Sequence, residues 1–392
     1  EHITAIPEYC LGDCPELDLC IVGEGESAFT EFLQKVDTGQ DYSEVGSLVY
    51  RDSSQKIVQT PRMDRIRDVD SIPAPAWDLM PMENYLSRGL NYHIQRGRTI
   101  PMLATRGCPY RCTFCSNPAM WGNFWGPRDP VKVVDEIEYY INRYQASNFI
   151  FSDLTAVIKK SAIIGFCEEK NLDITWQLPT TRTESLDKDT LQLMYDSGLR
   201  DLDFAIESGS KDVLKEVQKA NKPQDMTKSI RNALEVGMNL SANFILGLPK
   251  EGYLGVLKSY FLSMRLAVSG LQEINVFPFI PYPGSELFYS LRREQRLKLD
   301  DSFFFKLFGY ADLTTAISWS DHYSPRMLRF MRLFVMSSFY SLMFLTHPQK
   351  LFHLVRNLIT GKTNAKSTKL EGVLRRIYLG MRTYNKSTSA SQ

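Results

Sequence analysis

Between positions 100 and 288, short apolar runs alternate with amphipathic stretches of helical spacing. The apolar runs predict strands over residues 100–106, 148–152, 173–177, 202–206, 240–246 and 273–279, since brief continuous runs of this kind suit a sheet covered on both faces. The segments between them carry helix signals. Asp129-Pro130 opens a helix over 131–143, Ser185 precedes one over 186–197 that Gly198 stops, and Ser210 precedes one over 211–218. Such residues accept from free N–H groups at a helix start, preset its first turn, or tolerate the left-handed exit. Six strand–helix units in succession predict an α/β fold whose parallel sheet curls into a partial, six-stranded barrel. Reactive groups of a barrel gather at the C-terminal ends of its strands.

The flanks read differently. A strand over 17–22 and a helix over 26–36 are too little for a core of their own, so residues 1–36 read as the end of a preceding domain. Residues 37–95 read as a linker holding a hairpin, 47–50 with 56–59, and a proline-rich stretch at 72–77. The barrel takes residues 96–290, and 291–392 form a helical, basic region. There, 333–345 is an apolar run of 13 residues, short of the roughly 20 that span a bilayer. Arg329 and Arg332 precede it, Lys350 and Arg356 follow it, and Leu351, Leu354, Val355, Leu358 and Ile359 repeat the helical spacing. The pattern fits helices lying in a membrane interface, and equally a pair of helices packed over the barrel mouth.

Charge sharpens this contrast. The net charge of the 392 residues is +1, yet after Asp321 twelve basic residues face a single acid, Glu371. The first 321 residues hold 34 basic against 44 acidic residues. A basic tail on an acidic body implies an anionic partner, either a membrane surface or nucleic acid. Nucleic acid is disfavoured because no RNA-binding module follows Pro325.

The cysteines carry the chemistry. Arg106-Gly107-Cys108-Pro109-Tyr110-Arg111-Cys112-Thr113-Phe114-Cys115 sets three thiols at C-x3-C-x2-C spacing just after the first barrel strand. Three thiolates on one loop can bind three irons of a 4Fe–4S cubane and leave the fourth iron open for a substrate. A zinc knuckle is the alternative, but structural zinc is four-coordinate and no second ligand pair lies nearby. Cys10, Cys14, Cys20 and Cys167 make the total seven, without a secretory framework, so a reducing, cytoplasmic setting is expected. A second cluster on Cys10, Cys14 and Cys20 is disfavoured, since Cys20 falls within an apolar strand.

Other strand ends hold reactive or permissive residues. Glu207 stands beside small Ser208 and Gly209, placed to accept from a ribose or an amino group, or else to cap the helix after Ser210. Gly247 permits close backbone approach, Ile245 can lie against an adenine face, and Arg182 has the geometry to pair with a carboxylate. Trp121, Phe124 and Trp125 either wall a cavity or pack the barrel.

These features together resemble the radical S-adenosylmethionine (SAM) superfamily. The cysteine spacing, Gly107-Cys108-Pro109 and Phe114 before the third cysteine match its signature. The further landmarks are Ala205-Ile206-Glu207-Ser208-Gly209-Ser210, then Phe244-Ile245-Leu246-Gly247-Leu248-Pro249-Lys250-Glu251, then Pro281-Tyr282-Pro283-Gly284-Ser285-Glu286-Leu287. With Val22-Gly23-Glu24-Gly25-Glu26 they resemble its cobalamin-binding subgroup, which includes anaerobic magnesium-protoporphyrin ester cyclase and hopanoid methylases. Lys250 stands where that subgroup often has glycine. The resemblance implies a TIM-like radical SAM barrel preceded by the remnant of a Rossmann-like cobalamin domain. It implies a 4Fe–4S cluster on Cys108, Cys112 and Cys115, and SAM bound near Phe114, Arg182, Glu207, Ile245 and Gly247. A reductant such as flavodoxin or ferredoxin would supply the electron that splits SAM into methionine and a 5'-deoxyadenosyl radical. Cobalamin would direct methylation or cyclisation of a hydrophobic or lipid-like substrate at the membrane, its cobalt-ligating loop expected ahead of residue 1; His2 is not assigned as a ligand. An RNA methylthiotransferase-like enzyme and a non-enzymatic iron–sulfur scaffold or sensor are the alternatives.

Overall fold

A computed structural model describes residues 2–90, 93–155, 172–182, 186–219, 221–360 and 368–374. Its strands in chain order are β1 (Leu19–Ile21), β2 (Leu48–Arg51), β3 (Ile57–Gln59), β4 (Thr99–Met102), β5 (Thr105–Gly107), β6 (Trp125–Pro127), β7 (Asn148–Phe151), β8 (Thr175–Thr181), β9 (Leu199–Glu207), β10 (Asn239–Leu246) and β11 (Glu273–Pro278). Six of them form one sheet in the order β11-β10-β9-β8-β7-β4, every neighbouring pair parallel. Spatial order thus follows chain order, as in a strand–helix barrel left open between its first and last strands. Fully buried Ile100, Phe149, Phe204 and Phe244 fill the core, and all four residues of β7 are buried.

The expected helices form, with adjusted ends. Asp129 caps Pro130–Tyr144 by accepting from the Val131 N–H at 2.9 Å. Asp187, and not Ser185, caps Lys188–Asp196, accepting from the Thr190 N–H at 2.8 Å; Ser185 itself lies outside the described residues. Ser210 precedes Lys211–Glu216 without a side-chain cap. The strand expected over 100–106 is interrupted at Leu103 and Ala104. Its second half, β5, leaves the barrel and pairs antiparallel with β6. The cause is Asp153, which follows β7 and accepts from the Ala104 N–H, the Thr105 N–H and the Thr105 hydroxyl. A carboxylate that collects three donors turns the backbone out of the sheet and satisfies it there.

The expected hairpin is present as β2 and β3, and β1 joins it to make a three-stranded antiparallel sheet. Residues 17–22 and 47–59 therefore share one small sheet.

At the N-terminal ends of the barrel strands, buried acids meet donors from outside the sheet. Arg96 grips Asp201 with two nitrogens, Lys369 pairs with Asp203, and the Leu370 N–H donates to Glu273 at 2.6 Å. Burial raises the Glu273 carboxyl to about 7, against the pull of Leu370 and Lys369.

The apolar run at 333–345 sits within the helix Pro325–Thr346, 22 residues long and by length and composition apolar enough to cross a membrane. Here it lies along β11 and the helix Tyr253–Val268, burying Leu328, Arg332, Val335, Phe339 and Met343. Arg332, which the sequence left open to a membrane interface or a packed helix pair, faces inward and donates to the carbonyls of Val276 at 2.6 Å, Tyr310 at 2.9 Å and Gly309 at 3.2 Å. Lys350 donates inward too, to the Gly270 carbonyl.

Candidate active site

The cysteine loop runs between β5 and β6, whose pairing (Gly107 with Trp125) brings its two ends together. Gly107 has φ +84°, and a Cβ there would meet the Phe124 carbonyl oxygen at 2.3 Å, so the loop must start on glycine. Two backbone bonds fasten its middle: the Thr113 N–H donates to Val217 and the Thr113 carbonyl accepts from Leu287, both at 3.0 Å. Cys108, Cys112 and Cys115 are half-buried and free of disulfides.

Arg182, one residue past β8, comes to this loop. It donates to Cys112 Sγ at 3.7 Å and to Asn221 Oδ1, and its guanidinium lies 3.5 Å from the centre of the Tyr110 ring. Burial pushes the Cys108 thiol pKa up, with Cys112 adding to the rise, while the Tyr110 N–H, Arg182 and Lys219 oppose it. Lys219 is buried and donates to the Ala205 carbonyl at 2.7 Å and to Glu207 Oε1 at 2.9 Å. Glu207 ends β9 in a left-handed conformation, φ +63°, rare for a residue with a side chain. It caps no helix: its carboxylate is committed to Lys219. The structure thus unites the cysteine loop, Arg182, Lys219 and Glu207 at the C-terminal ends of β8 and β9.

Phe114 and Ile245 share an apolar cluster with Leu248, Phe279 and Phe288. Gly247 follows β10 at φ +79°, but the space a Cβ would take is filled by Leu328, 2.7 Å away. Its N–H donates to Glu251 Oε2 at 2.8 Å. Of the aromatics expected to wall a cavity or pack the barrel, Trp125 donates to the Thr155 carbonyl at 2.9 Å. Trp121 and Phe124 instead face guanidinium groups. Sequence reasoning missed Lys219, Asn221 and Asp153; the one signal available was their position just beyond barrel strands or helices.

Glu251 supplies a test of this loop's electrostatics. Burial raises its carboxyl to about 7, against the Gly247 and Leu248 N–H groups that favour the charge. In the unfolded chain the group ionises near 4.5, so between about 4.5 and about 7 only the unfolded state loses the proton, and stability falls as pH rises through that window. The full effect is on the order of 3 kcal/mol. Glu251→Gln keeps an acceptor for Gly247 without the charge; it is expected to match wild type near pH 5 and exceed it at pH 8 in urea unfolding. An unchanged pH slope in the variant would refute this account of Glu251.

The donor set suits an iron–sulfur cubane: three thiols on one loop, none in a disulfide, with two cations near an anionic centre. Among the described residues no three His, Cys, Asp or Glu side chains gather closely enough for one metal ion. A cubane asks for a wider spacing, because its thiolates bind separate irons.

Comparison with known proteins agrees with this geometry. Residues 102–259 match the radical SAM superfamily. An uncharacterized methyltransferase of Pyrococcus horikoshii is 27% identical over 73% of this chain and 60% of its own length. The anaerobic magnesium-protoporphyrin IX monomethyl ester cyclase of Rubrivivax gelatinosus is 30% identical over 74% of this chain and 52% of its own. The chain therefore spans 52–60% of these two relatives. The fold is shared with TsrM, a radical SAM methyltransferase of Kitasatospora setae solved with cobalamin and a [4Fe-4S] cluster, at TM-score 0.58 and 16% identity over 74% of this chain and 56% of that one.

Proposed function

We propose, for a chain that belongs to the radical SAM superfamily, that Cys108, Cys112 and Cys115 ligate a 4Fe–4S cluster and that SAM binds at its open iron. The observation that carries this is the meeting of the three thiols with Arg182, Lys219 and Glu207 at the strand ends. When bound, the cluster supplies the electron, received from a flavodoxin- or ferredoxin-like reductant, that splits SAM into methionine and a 5'-deoxyadenosyl radical. The residues around it bind and orient. Arg182 offsets thiolate charge at Cys112, and Lys219 fixes Glu207, whose strained backbone sets a carboxylate where it can accept from SAM. We read residues 96–290 as this catalytic unit and residues 1–36 as the end of a cobalamin-binding domain, which makes cobalamin the second cofactor. The relatives' names support methyl transfer or cyclisation as the reaction, and a hydrophobic or lipid-like small molecule is the substrate class proposed here.

Glu207→Gln keeps an acceptor for Lys219 but removes the charge. It is expected to leave the cluster absorbance intact and weaken SAM binding and cleavage about tenfold, as befits a lost charged acceptor. Unaltered SAM affinity and cleavage would remove Glu207 from the SAM site.

A membrane surface is the proposed setting. Phe330, Phe334, Phe352 and Ile359 are 68, 50, 66 and 79% exposed, near exposed Arg326 and Arg356, with no acid between Asp321 and Glu371. Apolar side chains with basic neighbours fit an anionic lipid interface. Vesicles containing anionic lipid should float the full chain, less so as salt rises, and the triple substitution Phe330→Ser, Phe334→Ser, Phe352→Ser should abolish flotation. Equal flotation of the two proteins, or no preference for anionic lipid, would eliminate the membrane reading.

A further inference from the structure

We propose that Glu24 is a positioning residue for the cysteine loop, clasping the chain both just before Cys108 and just after Cys115. The proposal rests on the reading of that loop as the cluster site. Glu24 lies in Val22-Gly23-Glu24-Gly25-Glu26, far from the barrel in sequence. Gly23 starts this turn at φ +93° and donates its N–H to Thr4 Oγ1 at 3.0 Å. From there Glu24 Oε2 accepts from Arg65 Nε at 2.7 Å and the Ile66 N–H at 3.0 Å, and Oε1 lies 3.3 Å from Arg106 Nη1. Glu26 pairs with the same Arg106. The side chains of Glu24 and Arg106 are 6% and 13% exposed.

The two arginines connect Glu24 to the two ends of the loop. Arg106 is the residue before Gly107-Cys108 and lies in β5. Arg65 donates to the Trp121 carbonyl, six residues after Cys115, and stands 4.9 Å from the Phe124 ring. Both guanidiniums also face the Trp121 indole, at 5.0 Å for Arg106 and 5.2 Å for Arg65. Two like charges gathered at one ring repel unless a carboxylate joins them, and in a poorly hydrated place the repulsion is weakly screened. Glu24 is the carboxylate that touches both. Removing its charge takes one carboxylate from each arginine at once, leaving Arg106 on Glu26 alone and Arg65 on the Trp121 carbonyl, and so loosens both ends of the loop.

The experiment uses the full chain in three variants, Glu24→Gln, Arg106→Gln and the two combined, with Glu83→Gln as control. Glu83 pairs with Arg98 at the opposite end of the barrel, so its loss removes one carboxylate–guanidinium pair far from the loop. The first readout needs no cluster: alkylation rates of Cys108, Cys112 and Cys115 in apo protein against pH, by mass spectrometry, with exposed Cys14 as internal reference. A mere change in thiol acidity slides the profile along the pH axis, whereas a loosened loop raises its plateau. Glu24→Gln should raise the plateau about tenfold while the thermal melt stays cooperative. The double variant should be no faster than the faster single, and Glu83→Gln should equal wild type. The second readout is taken after reconstitution: iron should leave Glu24→Gln faster to a chelator, and the electron paramagnetic resonance spectrum of the reduced protein should broaden. If Glu24→Gln does not fold, Glu26→Gln, which strips one of the two carboxylates from Arg106, decides by a smaller rise in the same plateau. Plateaus unchanged in a folded Glu24→Gln, or in Glu26→Gln where that variant decides, overturn the proposal. A wild-type chain that takes up no iron defeats the cluster reading alone, because the alkylation plateaus still judge the clasp.

Discussion

Replacing any one of Cys108, Cys112 or Cys115 by alanine is expected to reduce iron in the reconstituted protein from about four per chain to near zero. The loss is total because three ligands are already one fewer than an electron-transfer cluster uses, and two thiolates cannot keep a cubane against exchange with solvent. It should also be local. The loop is fastened by backbone bonds from Thr113 and by the β5–β6 ribbon, none of which uses a thiol, so the variants should melt close to wild type. Cys10→Ala, Cys14→Ala and Cys20→Ala should keep full iron, since Cys10 and Cys20 pack in an apolar cluster with Leu11, Val22 and Val49. Cys167, outside the described residues, is expected to be equally dispensable. Iron content measured beside sulfide and absorbance checks this, and wild-type iron in a variant lacking all three loop cysteines would sink the cluster assignment.

Ending the chain at Ser324 is expected to abolish cooperative folding. The helix Pro325–Thr346 buries Leu328, Val335, Phe339 and Met343 against β11 and Tyr253–Val268. Four such side chains represent about 6–12 kcal/mol of apolar burial, against a typical total stability of about 5–15 kcal/mol. Truncation also takes away Lys369, leaving Asp203 buried without its cation, a loss of about 3–5 kcal/mol when one partner of a buried pair is removed. Circular dichroism should show no sigmoidal melt and the protein should aggregate. A cooperative transition near the full-chain midpoint would mean that these helices are an appendage. For the same reason, membrane attachment is better tested by substitutions on the exposed face than by deletion.

The six barrel strands and their order were legible because buried parallel strands read as short apolar runs and each ends at a recognisable turn. The cysteine loop and Glu207 were legible because chemistry at strand ends leaves spacing in the sequence. What escaped notice depends on contacts distant along the chain. Asp153 breaks the first strand from 48 residues away, and Lys219 reaches back to Glu207 across a helix. Arg332 was legible in principle. It falls with Leu328, Val335 and Phe339 on one helical stripe, and an arginine on an apolar stripe that meets backbone carbonyls is an inward donor, not a headgroup contact. Lys369 had no such signal, since nothing near it in sequence announces a buried acid on β9.

The central claim is that this chain uses three cysteines to open SAM by one-electron chemistry. The most direct measurement is 5'-deoxyadenosine formed by anaerobically reconstituted protein given SAM and a low-potential reductant. The account predicts 5'-deoxyadenosine and methionine in equal amounts, dependent on reductant, and none from Cys112→Ala. A fully loaded, reduced protein that leaves SAM intact, or a Cys112→Ala variant that cleaves it as wild type does, would contradict the account.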